Sequence, residues 1–318
     1  MIPSPLIPAL ASAADSALNN VLRTGALSWG QRQPTGEVGF VAAAVLGGVP
    51  DIAAAWQPIL QKAGFGVTLS GVFCHQSPQA TFTDSAGNLV SCELADLLIV
   101  VDDFTGGRQG QRWAVLVQAK MAATGGGQSL TSSGDLRQLD LLSRWPPFTL
   151  PAGFAAAPRD FASCAYAGAT LDCGRYGLID AQPRPLWHQQ APAATMPPGG
   201  PELGTFIARM LETGQVGYGR EATGHGDDWS QTVHELMTVT YANMFNYAQG
   251  FPGPRPRGHS ALVAFADAST PAIRLRWHSG ELTPSGGRPE QPRDEAPGEG
   301  ISLLRIAVHK GHEEHRLG

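Results

Sequence analysis

Charge is scarce in this chain, and what there is does not lean basic. Asp, Glu, Lys and Arg make up 15% of 318 residues and sum to a formal net charge of −5. Such a protein has no global positive field with which to hold a polyanion non-specifically. A nucleic acid would have to be met by a local patch, a metal ion or a groove formed on oligomerisation. Cysteine is scarce too. Cys74, Cys92, Cys164 and Cys173 lie far apart with no CxxC pair, which argues against a zinc ribbon and a disulfide scaffold. Cys74 and Cys92 flank a hairpin-like segment and could approach each other, but buried free thiols in a reducing cytoplasm are the expectation. Long apolar runs are missing: none nears the roughly 18 to 20 uninterrupted residues of a membrane span. The apolar opening "MIPSPLIPALASAADSAL" has no positively charged start and carries three prolines, so a secretory signal is not expected. The expected setting is cytoplasmic, with no membrane partner. "TGGGQSLTSSG" lacks the Gly-Lys-Ser/Thr ending of a phosphate-binding loop, and no internal repeat is present.

What is abundant is turn chemistry: 39 glycines and 25 prolines, beside a hydrophobic content of 42% that is ample for a core. An N-terminal extension over residues 1–35 looks loose. "TGEVGFVAAAVLGGVPDIAAAWQPILQKAG" then predicts helix, with Glu37 near its start, a break around Gly47, Gly48 and Pro50, and an end at Gly64. "FGVTLSGVFC" and "QATFT" predict strands, and "DSAGN" a turn. Two continuous apolar runs, "LLIVV" and "WAVLV", suit central strands covered on both faces, joined as an antiparallel hairpin by "DDFTGGRQGQR". "DLRQLDLLSRW" is a short amphipathic helix stopped by Pro146 and Pro147. "RYGLID" returns as a strand of the same sheet. Helices follow in "LGTFIARMLETG" and "DDWSQTVHELMTVTYANMFNYAQG", and strands in "HSALVAFAD", "AIRLRWHS" and "GISLLRIAVHK". Residues from about 279 to 300 have a linker composition and are expected to be mobile. The expected fold is α/β: a core over 36–185 with a mixed central sheet flanked by helices, and a C-terminal α+β elaboration over 186–318.

The chemistry concentrates where the two apolar runs meet polar residues. Asp96 opens the first run, and Gln118-Ala119-Lys120 closes the second. Strand ends meet solvent, so polar residues gathering there is one explanation. The other is a site built across neighbouring strands. Strands lie about 4.8 Å apart, so ends in register bring their side chains together. Gln118 and Lys120 share a face, and Ala119 points into the opposite layer. A carboxylate and an amide oxygen are hard ligands that suit Mg²⁺ or Mn²⁺. A lysine on the same face can orient a water or offset phosphate charge, which together describes metal-assisted phosphodiester hydrolysis.

This stretch resembles the PD-(D/E)XK nuclease superfamily, restriction-endonuclease-like in fold, in its Q-x-K variant. The resemblance covers roughly residues 36 to 150. It implies Asp96 as principal metal ligand, Gln118 as the second, Lys120 as the catalytic lysine and the carbonyl of Ala119 as a further ligand. Glu37 matches the acid that many members carry on the first helix, and Glu93, three residues before Asp96, competes with it to complete the site. Ala95 stands where proline is frequent. Gln138 matches the glutamine of a RecB-like subgroup, but Leu142 occupies the tyrosine spacing. The resemblance implies a nucleic-acid substrate, with DNA favoured. The net acidity suggests an activity gated by oligomerisation, an activating partner or a bound signal, which would suit a restriction or antiphage effector. A non-catalytic binding or assembly module retaining the same core is the alternative.

Other residues are candidates for contacting substrate. His75, at a strand end in "CHQSPQATF", could line the same cleft, with a hydrogen-bonded edge histidine as the plainer alternative. Gln138 and Arg137 are the further candidates for contacting substrate. Arg108, Arg112, Arg137 and Arg144 cluster with Lys120 in sequence and offer a local basic patch. Asp102 and Asp103, some 20 Å along the strand from Asp96, are expected as turn acids. Asp227 and Asp228 are expected to cap the helix that follows them rather than to join His225, His234 and Glu235 in a metal site. "HKGHEEHR" is expected as a solvated tail.

Overall fold

The computed structural model describes residues 1–25, 34–74, 78–105, 107–162, 172–181, 184–212, 217–224, 226–248, 260–266, 274–278 and 300–310. The apolar opening forms helix α1 (Ile7–Thr24), where the sequence suggested a loose start. Its three prolines lie before or inside the first turn, where a missing N–H costs nothing. Along it Ile7, Leu10, Ala14, Leu18 and Val21 fall on one buried stripe, and Gly25 at φ 83° ends the helix.

The expected break near Pro50 is absent. Helix α2 (Gly36–Ala42) runs through a π-helical turn (Ala43–Gly47) directly into α3 (Gly48–Lys62). Pro50 has no N–H, so carbonyls one turn earlier lose a donor, and the wider π winding accommodates the mismatch. The carbonyl of Val45 faces strand β1 (Phe65–Phe73), where a Cβ added at Gly71 would stand 2.6 Å from it. This run is long and apolar enough to cross a membrane, but it is mostly buried against α1 and β1.

The remaining elements are β2 (Gln79–Thr83), β3 (Leu89–Glu93), β4 (Leu97–Thr105), β5 (Arg108–Met121), β6 (Gln128–Ser129), α4 (Ser133–Arg144), β7 (Phe148–Thr149), β8 (Gly174–Asp180), β9 (Leu186–Gln190), β10 (Thr195–Met196), α5 (Leu203–Met210), β11 (Arg220–Glu221), α6 (Asp228–Ala248), β12 (Ser260–Ala266), β13 (Arg274–His278) and β14 (Ser302–Lys310). A nine-stranded sheet runs β13-β12-β1-β14-β4-β5-β8-β9, with β11 added beside β5. The hairpin β4–β5 is antiparallel, as its polar loop predicts, while β14–β4 and β5–β8 are parallel. The fold is therefore mixed α/β with a mixed central sheet. The late strand β14 lies between β1 and β4 at its centre, and the adjacent strands β8 and β9 straddle residue 185. The linker-like residues 279–299 and most of "HKGHEEHR" lie outside the described residues; His309 and Lys310 belong to β14.

Two cores clothe the sheet. One face carries Leu97, Ile99, Val115, Val117 and Ala119 against α1, α2, α3 and α5. The other carries Leu98, Val100, Leu116 and Leu178 against α4, α6 and a small sheet of β3, β2 and β7. Every residue from Leu97 to Val101 is fully buried, which is why that run is continuously apolar. Helix α4 ends at Trp145, held at φ 48° with its ring buried beside Phe161 at 5.0 Å.

Asp102 and Asp103 are not turn acids, because both lie within β4. Asp102 is fully buried and accepts from Arg112 Nε at 2.6 Å, Arg305 Nε at 2.6 Å and Gln109 Nε2 at 3.0 Å. This carboxylate ties β4 to both neighbouring strands. A buried charge survives only when paired in this way.

Candidate functional site

Strand β5 runs past the start of β4 and leaves an open edge. Backbone alternation shows which groups face it. Leu116 and Ala122 donate to Cys173 and Ile179 on the β8 side, each at 2.8 Å, while Val117 accepts from the Asp96 N–H at 3.1 Å on the β4 side. The odd residues therefore point toward β4, and beyond its first residue toward the opening. There the Ala119 N–H donates to Asp96 Oδ2 at 2.7 Å, and the Met121 N–H donates to Glu37 Oε1 at 3.1 Å. Two carboxylates from distant segments thus dock on successive steps of one strand edge, their anchor points about 7 Å apart. By the same alternation the carbonyl of Ala119 faces this edge between them.

The side chains of Gln118 and Lys120 lie on the α4 face. Gln118 is 2% exposed; its Nε2 donates to Asp96 Oδ2, and its Oε1 is buried with no hydrogen-bond partner among the described residues. Burial pushes the Asp96 carboxyl up to about 7; the Ala119 N–H opposes this, Glu93 and Glu37 add to it, and Lys120 counters it. A buried carbonyl oxygen without a donor, next to a carboxylate that resists ionising, marks a place short of positive charge. Turning the amide over would face Oε1 to the carboxylate, a repulsive pairing unless a proton or cation lies between them.

Lys120 Nζ is 2.9 Å from Asp135 Oδ1. Asp135 stands in the first turn of α4, where the Ser132 hydroxyl accepts from its N–H at 3.1 Å and donates to its Oδ2 at 2.6 Å. The Ser132 hydrogen bond and Lys120 hold this carboxyl below the usual range. Sequence reasoning passed over Asp135. Its only local signal is the Ser-x-x-Asp spacing of a helix cap, and nothing local says that α4 folds its N-terminus back onto β5. Tyr176, paired with Gln118 across β5 and β8, was also missed; its hydroxyl is buried without a partner among the described residues.

Of the other expected residues, Glu93 ends β3, half-buried and near enough to act on Asp96. Gln138 is buried on α4, Leu142 is buried near it, and Arg137 is exposed with its charge acting on Cys92. His75 and His225 lie outside the described residues. The basic patch is not assembled. Arg112 is consumed by Asp102, Arg144 pairs with Asp140 at 2.5 Å, and Arg108 lies at the opposite end of β5 from Lys120. Adjacency in sequence misled here, because an extended strand separates its ends by about 3.3 Å per residue. Asp227 caps α6 by accepting from the Ser230 N–H at 2.6 Å, while Asp228 accepts from the Asp160 N–H at 2.7 Å. Glu235 pairs with Arg159 at 2.5 Å, and Cys74, Cys92 and Cys173 are buried free thiols.

Among the described residues no group of three or more His, Cys, Asp or Glu side chains is gathered tightly enough to hold a metal ion. The donors at the β5 edge are of mixed type: two carboxylates, one amide oxygen and one main-chain carbonyl. They are hard oxygens, and the orphaned Gln118 Oε1 among them fits an oxygen-seeking divalent cation. Comparison with protein-family models, curated proteins and solved structures finds no match to this chain.

Proposed function

We propose that this protein is a divalent-metal-dependent nuclease, hydrolysing phosphodiester bonds at the edge of β5. Asp96, Gln118 and the carbonyl of Ala119, with Glu37, would hold Mg²⁺ or Mn²⁺, and Glu93 adds negative charge nearby. The observation that carries the reading is the buried, unpartnered Gln118 Oε1 beside a carboxyl pushed up to about 7. A bound divalent ion would supply Lewis-acid polarisation of a phosphoryl oxygen. Lys120 is the basic side chain at this edge among the described residues, and its ammonium would face a phosphate oxygen or the attacking water. The acids around it repel a polyanion, so substrate binding at this edge depends on the cation. The order helix, β1, β4, β5, helix α4, then β8 parallel to β5, supports a restriction-endonuclease-like arrangement. DNA as substrate follows from the resemblance alone. A cytoplasmic setting rests on the sequence's lack of a signal or membrane-span pattern. Gating by self-association or a partner, which would suit a restriction or antiphage role, rests on the net acidity.

A second reading, a binding or assembly module that keeps this core, is favoured by the Lys120–Asp135 ion pair, which engages the lysine within the protein. Plasmid cleavage with Mg²⁺ or Mn²⁺ tests the first reading, comparing wild type with Asp96→Asn and Lys120→Ala. Activity lost in both variants, with folding intact, supports a nuclease site. Equal cleavage by all three removes the assignment, and Mn²⁺ binding without cleavage by any selects the second reading.

A further inference from the structure

A lysine beside Asp96, Glu37 and Glu93 has an obvious place to go. Its ammonium would fall onto those carboxylates, occupying the oxygens that a cation needs. Lys120 does not do so. Its Nζ is held 2.9 Å from Asp135 Oδ1, on the α4 side of the sheet end. Asp135 is itself fixed: Ser132 Oγ binds both its N–H and its Oδ2, so the carboxylate stands rigidly at the helix start. That carboxyl lies below the usual range and presents a full negative charge to the lysine. Gln118 gives its Nε2 to Asp96, and its Oε1 has no partner among the described residues.

We infer that Asp135 is the positioning residue of this site: it draws the Lys120 ammonium away from Asp96 and Glu37, leaving their oxygens open to a divalent cation. This inference rests on the proposed metal site. It makes the Lys120–Asp135 pair a device that separates the two positive charges of the reaction, one on the strand edge and one at the N-terminus of α4.

The test is Mn²⁺ binding to the full chain, measured calorimetrically, for wild type, Asp135→Asn, Asp135→Glu, Lys120→Ala and the double variant Asp135→Asn/Lys120→Ala. Once the anchor is lost, Lys120 should fold onto Asp96, so Asp135→Asn should weaken Mn²⁺ binding about tenfold or more, the usual cost of disturbing an outer partner. Asp135→Glu should bind nearly as well as wild type. The double variant should recover the affinity of Lys120→Ala, which damage to the fold would not allow. Equal affinity in wild type and Asp135→Asn, or a double variant as weak as Asp135→Asn, overturns the inference and leaves the metal site standing. A wild type that does not bind Mn²⁺ overturns the metal site and the inference together.

Discussion

Replacing Asp96 by Asn should stabilise this protein at neutral and alkaline pH. Asparagine keeps an oxygen to accept from the Ala119 N–H and the Gln118 amide, so neither hydrogen bond need be lost. What changes is the charge. Burial, with Glu93 and Glu37 nearby, raises the wild-type carboxyl from 3.8 to about 7 in the folded protein. The folded state therefore holds this proton more tightly than the unfolded chain does. Below pH 4 both states are protonated and the group contributes nothing to the balance. Between pH 4 and 7 the unfolded chain ionises freely while the folded one resists, so wild-type stability falls as pH rises. Each pH unit between the two values is worth about 1.4 kcal/mol, which sets a ceiling of roughly 4 kcal/mol, and solvent at the strand edge brings the expectation to about 2–4 kcal/mol. The assay is denaturant unfolding in chelator from pH 4 to 8.5. The Asn variant should match wild type at the acid end, pull ahead up to about pH 7 and hold that lead to pH 8.5. Curves that stay parallel across this range, or a variant less stable at pH 8, would refute the burial argument. Added Mn²⁺ should close the gap by stabilising wild type alone.

Metal binding should also compete with the Asp96 proton, so Mn²⁺ affinity should fall about tenfold per pH unit below 7 in a calorimetric titration. Lys120→Ala should abolish cleavage while retaining Mn²⁺ binding, because its Nζ pairs with Asp135 and not with the proposed ligands. Asp102→Ala should cost about 3–5 kcal/mol in a denaturant melt by leaving the Arg112 and Arg305 guanidiniums without their counter-charge, with Mn²⁺ binding unchanged. Gly177→Ala should lower the melting temperature, since the new Cβ would stand 2.1 Å from Trp187 Nε1 and force the buried ring to move.

The sequence by itself determined that the two strand ends meet and which residues share a face. Side chains alternate along a strand and the polar loop predicts an antiparallel hairpin, so Gln118 and Lys120 fall on one face at the end where Asp96 begins the other strand. The register, shifted between Asp102 and Phe104, is what sets Asp96 against Gln118. The helices α4 and α6 were legible from their apolar periods and their stop and cap residues. Tertiary structure alone decided the rest. Glu37 reaches Met121 only because an 84-residue separation closes in space, and Asp135 meets Lys120 only because α4 folds back over β5. Asp102 looked like a turn acid until β14, some 200 residues later, supplied Arg305 beside it. The basic residues that lie near Lys120 in sequence were separated from it by strand length or by their own acidic partners. Local patterns report which face and which element a residue occupies. Which distant charges come to share a site depends on long-range strand order and helix docking, and neither leaves a periodic mark in the chain.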